Sequence, residues 1–186
     1  SAELEKLQIQ EVDAVLADLG WRTDQFTDGG KGFSFTSDDD LFMTYGDPRQ
    51  YSFTAGDIVN EWKEEDIANV LYGYGEERYS RQIAKAIVLY RKTKTIKTAK
   101  ELAEIIFTSV PVSYRHGRIH PATKSFQGLR IAVNDEFTVL ENFIASAWQI
   151  LKPGGRLAII SFHSLEDRIV KHSFRTYTHD EQGMLV

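Results

Sequence analysis

The clearest apolar run in the chain covers residues 157–162 and is followed at once by polar side chains. The run, Leu157 to Phe162, is rich in isoleucine and follows the turn-forming sequence Lys152-Pro153-Gly154-Gly155. A short continuous apolar run of this kind is typical of a strand that is buried on both faces. Ser164, with Asp167 three residues later, resembles an N-cap and its capping acid. The pattern therefore predicts a strand, a short polar turn and a helix.

A second strand is predicted at Val12 to Ala17, directly before Asp18-Leu19-Gly20. An acid at the end of a buried strand is a candidate site residue, because α/β sheets bind ligands at the carboxyl ends of their strands. The alternative is an aspartate that caps the next backbone turn. His163, after the other strand, also has two interpretations. It is a hydrogen-bonding or basic group of a site, or a turn residue that ties the strand to the helix.

Helical periodicity fills most of the chain between these strands. Capping boxes at Thr54/Asp57 and Thr98/Glu101 mark helix starts, and the longest periodic run, from Phe126 to Leu151, predicts one long helix or two in line. Residues 21–53 have no such period, but their many aromatic side chains predict an ordered irregular loop. Residues 176–186 also lack a period and are predicted to form a tail.

The pattern as a whole predicts an α/β fold with a helical insertion between its two strands. Two strands do not make a stable open sheet, since three or more are normally needed. We therefore expect that another copy completes the sheet or that the chain is a fragment of a larger domain.

Charge is distributed unevenly along a chain whose net charge is −5. Residues 1–75 hold 16 acids and 5 bases, whereas residues 76–130 hold 4 acids and 12 bases. A basic segment in an acidic chain is typical of a nucleic-acid contact, and the alternative is a solvated helix face. The absence of cysteine excludes disulfides and a Cys-based zinc site. No apolar run approaches a membrane span and no signal segment is visible, so we expect a soluble, cytoplasmic protein without a membrane partner.

A set of longer motifs runs in order through residues 1–175. They are Asp18-Leu19-Gly20 with Gln25 downstream, Gly32-Phe33-Ser34-Phe35, Tyr74-Gly75-Glu76-Glu77-Arg78, Ile83-Ala84-Lys85-Ala86-Ile87, His120-Pro121-Ala122-Thr123, Leu129-Arg130-Ile131-Ala132-Val133-Asn134-Asp135-Glu136, Gly154-Gly155-Arg156 and Ser161-Phe162-His163-Ser164-Leu165-Glu166-Asp167-Arg168-Ile169-Val170-Lys171. In these motifs, and in their spacing, the sequence resembles the bacterial ribosomal RNA small-subunit methyltransferase H family.

The resemblance implies a Rossmann-like methyltransferase sheet, incomplete here, with an inserted helical subdomain. It implies transfer of a methyl group from S-adenosyl-L-methionine to the N4 of a cytidine in the 16S rRNA of the small ribosomal subunit. Residues 1–20 and 121–175 are then methyltransferase core, residues 21–120 the aromatic loop and the substrate-recognition insert, and residues 176–186 the tail. The family begins with strands that carry a Gly-Gly-His cofactor loop, so we expect a fragment that lacks this N-terminal half of the cofactor site.

The resemblance also implies roles for individual residues. Asp18 and Gln25 correspond to cofactor contacts, and Asp18 is our first choice for holding the target amine. His163 is the second choice, as a hydrogen-bond partner or base. No metal is expected, because the cofactor is already activated. The basic residues that we expect to contact RNA are Arg115, His116, Arg118, His120 and Lys124, followed by Arg78, Arg81 and Lys85 as phosphate contacts.

Two other functions remain open at this point. One is an RNA- or ribosome-binding remnant without cofactor binding or catalysis, because the N-terminal Gly-rich motif is absent. The other is a structural partner whose absent half comes from a second chain, as in a homodimer. Cofactor affinity separates the enzyme from the remnant, and the oligomeric state tests the third interpretation.

Overall fold

The computed structural model describes residues 2–20 and 30–179. The chain forms two compact units, Ser1–Trp21 with Glu136–Val186 and Arg22–Asp135. A 3₁₀ turn lies at Pro48–Gln50. The helices and strands, in chain order, are α1 (Ala2–Lys6), β1 (Val12–Asp18), α2 (Ala55–Glu61), α3 (Glu64–Gly73), α4 (Ser80–Arg91), α5 (Ala99–Ser109), α6 (Val112–Arg115), α7 (Ala122–Asn134), α8 (Glu136–Ile150), β2 (Leu151–Ile160) and α9 (Ser164–His179). The predicted α/β class, with helices inserted between two strands, is confirmed.

Strands β1 and β2 form a parallel pair, which is the sheet of the described residues. The pairing is regular from Ala14, opposite Arg156, to Asp18, opposite Ile160. Val12 lies opposite Leu151, so the register shifts between Val12 and Ala14. Four residues of β2, 152–155, therefore face a single residue of β1, Asp13. Gly154, at this shift, has a φ of +80°. The predicted turn at residues 152–155 is therefore an irregularity inside β2 rather than a break before it.

The prediction that β2 is buried on both faces is wrong. Leu157 and Ile159 pack against the apolar cluster formed by α8 and α9, whereas Ile160 is 48% exposed and Phe162, just beyond the strand, 65% exposed. Leu16 of β1 is 71% exposed. Helices α8 and α9 supply a partner for one face only, and a continuous apolar run does not show which of its faces has a partner.

Helix α9 begins at Ser164, so its N-cap is His163, and the predicted cap at Ser164 is wrong by one residue. Nδ1 of His163 accepts a hydrogen bond from the Glu166 N–H at 3.3 Å, and the Glu166 carboxylate accepts one from the Phe162 N–H at 3.0 Å. These two residues take the roles expected of Ser164 and Asp167. Asp167 instead forms an ion pair with Lys171, one turn later in α9.

Helix α9 also extends further than predicted, because it continues to His179. The ring of Tyr177 stacks on Trp148 of α8 at 5.0 Å between centroids, and Phe174 packs against the same apolar cluster. These contacts keep residues 176–179 helical, so the predicted tail begins too early. Residues 180–186 lie outside the described residues.

The Arg22–Asp135 unit contains the larger apolar core. Thr54 caps α2 with a complete capping box, in which the Asp57 carboxylate accepts the Thr54 N–H at 2.7 Å. Thr98 caps α5, but its partner Glu101 accepts the Lys97 N–H rather than that of Thr98. The fully buried side chains of this core include Ile58, Ile67, Leu71, Ile83, Ile87, Leu102, Ile106 and Leu129.

The long periodic run proves to be two helices, α7 and α8. Asp135 separates them, with φ 48° and ψ 40° in the left-handed region. Helix α7 packs on α3 in the Arg22–Asp135 unit, and the two compact units divide after Asp135. The domain boundary at residue 121 stays a prediction. The methyltransferase and RNA-binding roles given to these segments stay predictions.

The described part of the irregular loop, residues 30–53, packs as predicted. Met43 is fully buried, although its φ is +54°. The Asn134 side chain binds this loop twice, since its Nδ2 donates to the Met43 carbonyl at 2.7 Å and its Oδ1 accepts the Tyr45 N–H at 2.9 Å. Residues 21–29 lie outside the described residues. Within the described ranges, every helix falls short of the length and apolarity that crossing a membrane would need.

Candidate functional site

The carboxyl ends of β1 and β2 lie side by side and carry Asp18. Asp18 is opposite Ile160 in the ladder, and the Leu19 N–H donates to the Ile160 carbonyl at 3.0 Å. The two strands therefore stay paired to their last residues. The Asp18 side chain is exposed at this edge, the edge at which open α/β sheets bind their ligands.

The Phe162 ring covers the backbone just after Asp18. A Cβ at Gly20 would lie only 2.9 Å from Cε2 of Phe162, and 3.6 Å from an Asp18 carboxylate oxygen. An exposed ring beside an exposed carboxylate combines a stacking surface with a hydrogen-bond acceptor. Sequence reasoning treated Phe162 only as the end of a strand. The signal that was available is its position as a large apolar residue where the chain turns polar.

His163 is held at the start of α9 and its side chain is 19% exposed. Its Nδ1 accepts the Glu166 N–H, which assigns the proton of the neutral ring to Nε2. Nε2 lies 3.2 Å from Oε1 of Glu166, but the two atoms are not aligned as a hydrogen bond. The geometry is that of a residue that ties a strand to a helix.

Glu136 approaches the same corner of the molecule. One ligand atom each from Glu136, His163 and Glu166 lies within 4.8 Å of the others, which makes this a group of described residues that could surround a cation. The donor pattern does not fit a metal ion, because Nδ1 of His163 is used in capping and Nε2 carries the proton. The two acids face an imidazole N–H instead.

Arg78 has the most defined geometry among the predicted RNA contacts. Its guanidinium lies 4.8 Å from the ring centroids of both Tyr79 and Tyr114. The Tyr114 hydroxyl donates to the buried Glu77 carboxylate at 2.8 Å. Burial and this hydrogen bond raise the pKa of the Tyr114 hydroxyl. Arg78 is thus held in place by a fixed aromatic pair.

The other predicted RNA contacts differ in whether their side chains already make hydrogen bonds or stacking contacts within the protein. Arg115 donates to the carbonyls of Val110 and Thr108 at 2.9 and 2.7 Å, and the His120 ring stacks on Phe35 at 4.5 Å between centroids. Lys124 Nζ donates to a backbone carbonyl of the neighbouring loop at 3.1 Å. Their contact with RNA stays a prediction. Exposed side chains are found at Arg81, Lys85, His116 and Arg118, and Gln25 lies outside the described residues.

A cavity of about 920 Å³ lies between α4 and α5, but its charges balance. Lys94 pairs with Glu101 at 2.5 Å, and Lys100 pairs with Asp38 at 3.6 Å. The remaining Lys97 is offset by Glu104. This cavity therefore offers no excess positive charge to an RNA backbone.

The parallel strand pair, the exposed acid at its carboxyl edge and the inserted helical unit define an α/β protein. Residues 1–184 match the model of the MraW methylase family, and the chain belongs to that family. The resemblance stated from the motifs is confirmed.

Three relatives, each named Ribosomal RNA small subunit methyltransferase H, illustrate the similarity. The protein from Synechocystis sp. is 52% identical over 168 residues, which are 90% of this chain and 53% of the relative. That from Treponema denticola is 50% identical over 161 residues, 87% of this chain and 50% of the relative. That from Nostoc sp. is 53% identical over 163 residues, 88% and 52% respectively. The chain spans about half the length of the curated relatives it matches.

Proposed function

We propose that this chain is part of an enzyme that methylates the N4 of a cytidine in 16S rRNA, with S-adenosyl-L-methionine as the methyl donor. The observation that carries the proposal is the exposed Asp18 carboxylate beside the Phe162 ring, in a member of the MraW methylase family. The relatives' shared name supports small-subunit rRNA as the substrate.

The chemistry requires an acceptor at the amine and a surface for the base. The N4 lone pair is delocalised into the cytosine ring, so an enzyme must hold the amine in place and accept its proton. The Asp18 carboxylate accepts a hydrogen bond from the amine and stabilises the positive charge that develops there. Phe162 stacks on a base that has been flipped out of its strand.

The residues present fit a bound S-adenosyl-L-methionine. Gly20 lets the Phe162 ring lie close to the backbone, and this ring offers a flat surface beside the exposed Asp18 carboxylate. The cofactor supplies an activated methyl group on a sulfonium, so the reaction needs no metal. Gln25 remains a proposed second contact. His163 acts mainly as the N-cap of α9, which fixes the turn that carries Phe162. Its role as a base is the weaker proposal.

The basic exterior of the Arg22–Asp135 unit is the proposed RNA-contact surface. Arg78 precedes α4, and Arg81 and Lys85 lie in its first half, where exposed cations reach phosphates. The 16S rRNA in the small ribosomal subunit is the proposed partner, which places the protein in the cytoplasm.

A homodimer is also proposed, because Leu16 and Ile160 leave apolar area exposed on one face of the β1–β2 pair, where a second copy would cover it. Its test is sedimentation over a concentration series. A dimer supports the proposal, and a monomer at every concentration contradicts it.

The first experiment is a calorimetric titration of this chain with S-adenosyl-L-methionine, together with transfer of a labelled methyl group to small-subunit RNA. Asp18→Ala should weaken cofactor binding, and Asp18→Asn should lower kcat by about 100-fold or more. Asp13→Ala is the matched control, since Asp13 is an exposed acid at the other end of the same strand. A folded chain that binds RNA but no cofactor at millimolar concentration would overturn catalysis by this chain and favour the RNA-binding remnant.

A further inference from the structure

A cavity of about 410 Å³ lies between α3 and the start of α4. Its walls include Asn69 and Tyr72 of α3 and Arg78, Arg81 and Gln82 from the α4 side. The volume lies within the ~300–1,000 Å³ that is usual for small-ligand sites. The residues that line the cavity carry two positive charges and no acid. It differs in this from the larger cavity between α4 and α5, where acids offset the lysines.

Tyr72 gives this cavity a stacking surface. Its side chain is 68% exposed, although it is a large aromatic residue in a unit with an extensive apolar core. The core therefore does not account for the ring at this position. Exposed aromatic rings beside positive charges are the means by which proteins hold single-stranded nucleic acid, since every base has a face that can stack.

The two arginines are placed to hold phosphates. The Arg78 guanidinium lies against the rings of both Tyr79 and Tyr114, which contact each other, so it is already ordered before a ligand arrives. Less conformational freedom is then lost on binding. Arg81, in the first turn of α4, lines the same cavity as Arg78. A phosphate backbone passing the cavity would meet both guanidinium groups in succession.

We propose that the cavity defined by Tyr72, Arg78 and Arg81 binds one nucleotide of single-stranded RNA, apart from the base that is methylated. The Tyr72 ring stacks on the base, and the two arginines bind the neighbouring phosphates. Asn69 and Gln82 stand at the wall beside the base. The choice of RNA as the ligand rests on the proposed function, whereas the arrangement of ring and cations does not. A paired base in a duplex has no free face, so the site selects single strands.

The test is fluorescence anisotropy of this chain with a labelled single-stranded RNA oligonucleotide and with the duplex of the same sequence. Tyr72→Ala should weaken single-strand binding by about ten-fold, and Tyr72→Phe, which keeps the ring, should stay within about two-fold of the wild type. Arg81→Ala should lower the slope of log affinity against log salt by about 0.7, the value for one phosphate contact on a single strand. Leu89→Ala is the control, because Leu89 is an exposed apolar residue elsewhere on α4.

Three results would overturn the proposal. They are unchanged affinity in Tyr72→Ala, an unchanged salt slope in Arg81→Ala, or duplex binding as tight as single-strand binding. Cofactor titration of the same preparations separates this proposal from the enzymatic one. Tyr72→Ala should bind S-adenosyl-L-methionine like the wild type, although it binds the oligonucleotide more weakly. Because Tyr72 is exposed, its variants should melt with the wild type, and the Phe variant controls for any loss of folding.

Discussion

Glu101 shows how much one side chain contributes inside the helical unit. Its carboxylate accepts hydrogen bonds from Lys94 Nζ at 2.5 Å, the Tyr90 hydroxyl at 2.7 Å and the Lys97 N–H at 2.9 Å. Burial by itself would raise the pKa of Glu101, but these three donors lower it to about 2. The carboxylate therefore ties the end of α4 and the following turn to the start of α5.

The low pKa of Glu101 predicts a pH dependence of stability. The folded pKa is below the ordinary value of 4.5, so the stabilisation is complete above pH 4.5 and is lost as the pH falls toward 2. Glu101→Gln should lower the free energy of unfolding by about 1–3 kcal/mol at neutral pH, because it removes bonds to a charged acceptor. The variant should also lose stability less steeply in acid. Urea unfolding across this pH range measures both effects, with Glu104→Gln as the exposed control on the same helix. Parallel pH profiles for wild type and Glu101→Gln would contradict this account.

The sequence correctly predicted the features that depend on one residue and its near neighbours along the chain. Asp18, Thr54 and Thr98 were correctly placed at the end of a strand or the start of a helix, because each acts on backbone within a few residues. The cap of α9 was misplaced because Ser164–Asp167 and His163–Glu166 have the same spacing, and the end of β2 decides between them. The hydrogen bonds of Arg115 were not predictable, since its acceptors are carbonyls at the end of α5 that are held next to it only in the folded protein.

At the scale of one element, the stability of α9 depends on its N-cap, His163. Asparagine is as good an N-cap as the common ones, whereas alanine removes the cap and costs about 1 kcal/mol. His163→Ala should therefore lower the free energy of unfolding, and His163→Asn should restore most of it. We expect His163→Asn to retain methyl transfer. If this variant is stable and yet inactive, His163 is the base and not only the cap.

Helix α3 ends in two glycines that should respond oppositely to alanine. A Cβ at Gly75 would meet the backbone oxygen of Lys124 in α7 and lie 2.7 Å from that of Leu71, whereas a Cβ at Gly73 would meet nothing within 4 Å. Gly75→Ala should lower the free energy of unfolding by about 1–3 kcal/mol through overpacking. Gly73→Ala should be neutral or stabilising by up to about 1 kcal/mol, since alanine favours the helix. Thermal unfolding of the two variants measures the difference, and equal melting temperatures would contradict the close packing of α3 on α7.

Helices and strands were predictable where their pattern reflects contacts within one element. The sequence allowed two helices in this run, but the position of the break between α7 and α8 was not predictable, because the apolar period continues across Asp135 while the backbone there is left-handed. The exposed face of β2 was not predictable either. An apolar run shows that a strand can be buried, but the number of faces covered depends on helices elsewhere in the chain.

For the whole molecule, the two units differ in the size of their cores. The Arg22–Asp135 unit has a broad cluster of fully buried side chains, whereas the buried cluster of the other unit consists of Leu140, Ile144 and Val170. Stability follows buried apolar area, so the strand pair should open more readily than α3, α4 and α5. Hydrogen exchange read by mass spectrometry should show faster exchange in β1 and β2 than in these helices. Uniform protection across both units would contradict this expectation.

For the whole molecule, the sequence motifs identified the family but did not show which helices belong to each compact unit. Motifs spread along residues 1–175 pointed to the family, because each motif meets its own local requirement and together they are specific. The domain boundary at 121 follows from the family resemblance and stays a prediction. Packing of α7 on α3 groups α7 with the Arg22–Asp135 unit.

The buried Met43 limits which substitutions the irregular loop can accept. Its side chain must be apolar because it is fully buried, and its backbone must tolerate a positive φ because both of its hydrogen-bonding groups are engaged, the N–H by the Lys31 carbonyl and the carbonyl by Asn134. Branching at Cβ makes that conformation costly, so valine and isoleucine fit the first requirement and violate the second. A substitution table based on hydrophobicity would rank them as conservative at this position. The left-handed backbone makes both residues disruptive here. Only apolar side chains that are not branched at Cβ satisfy both requirements.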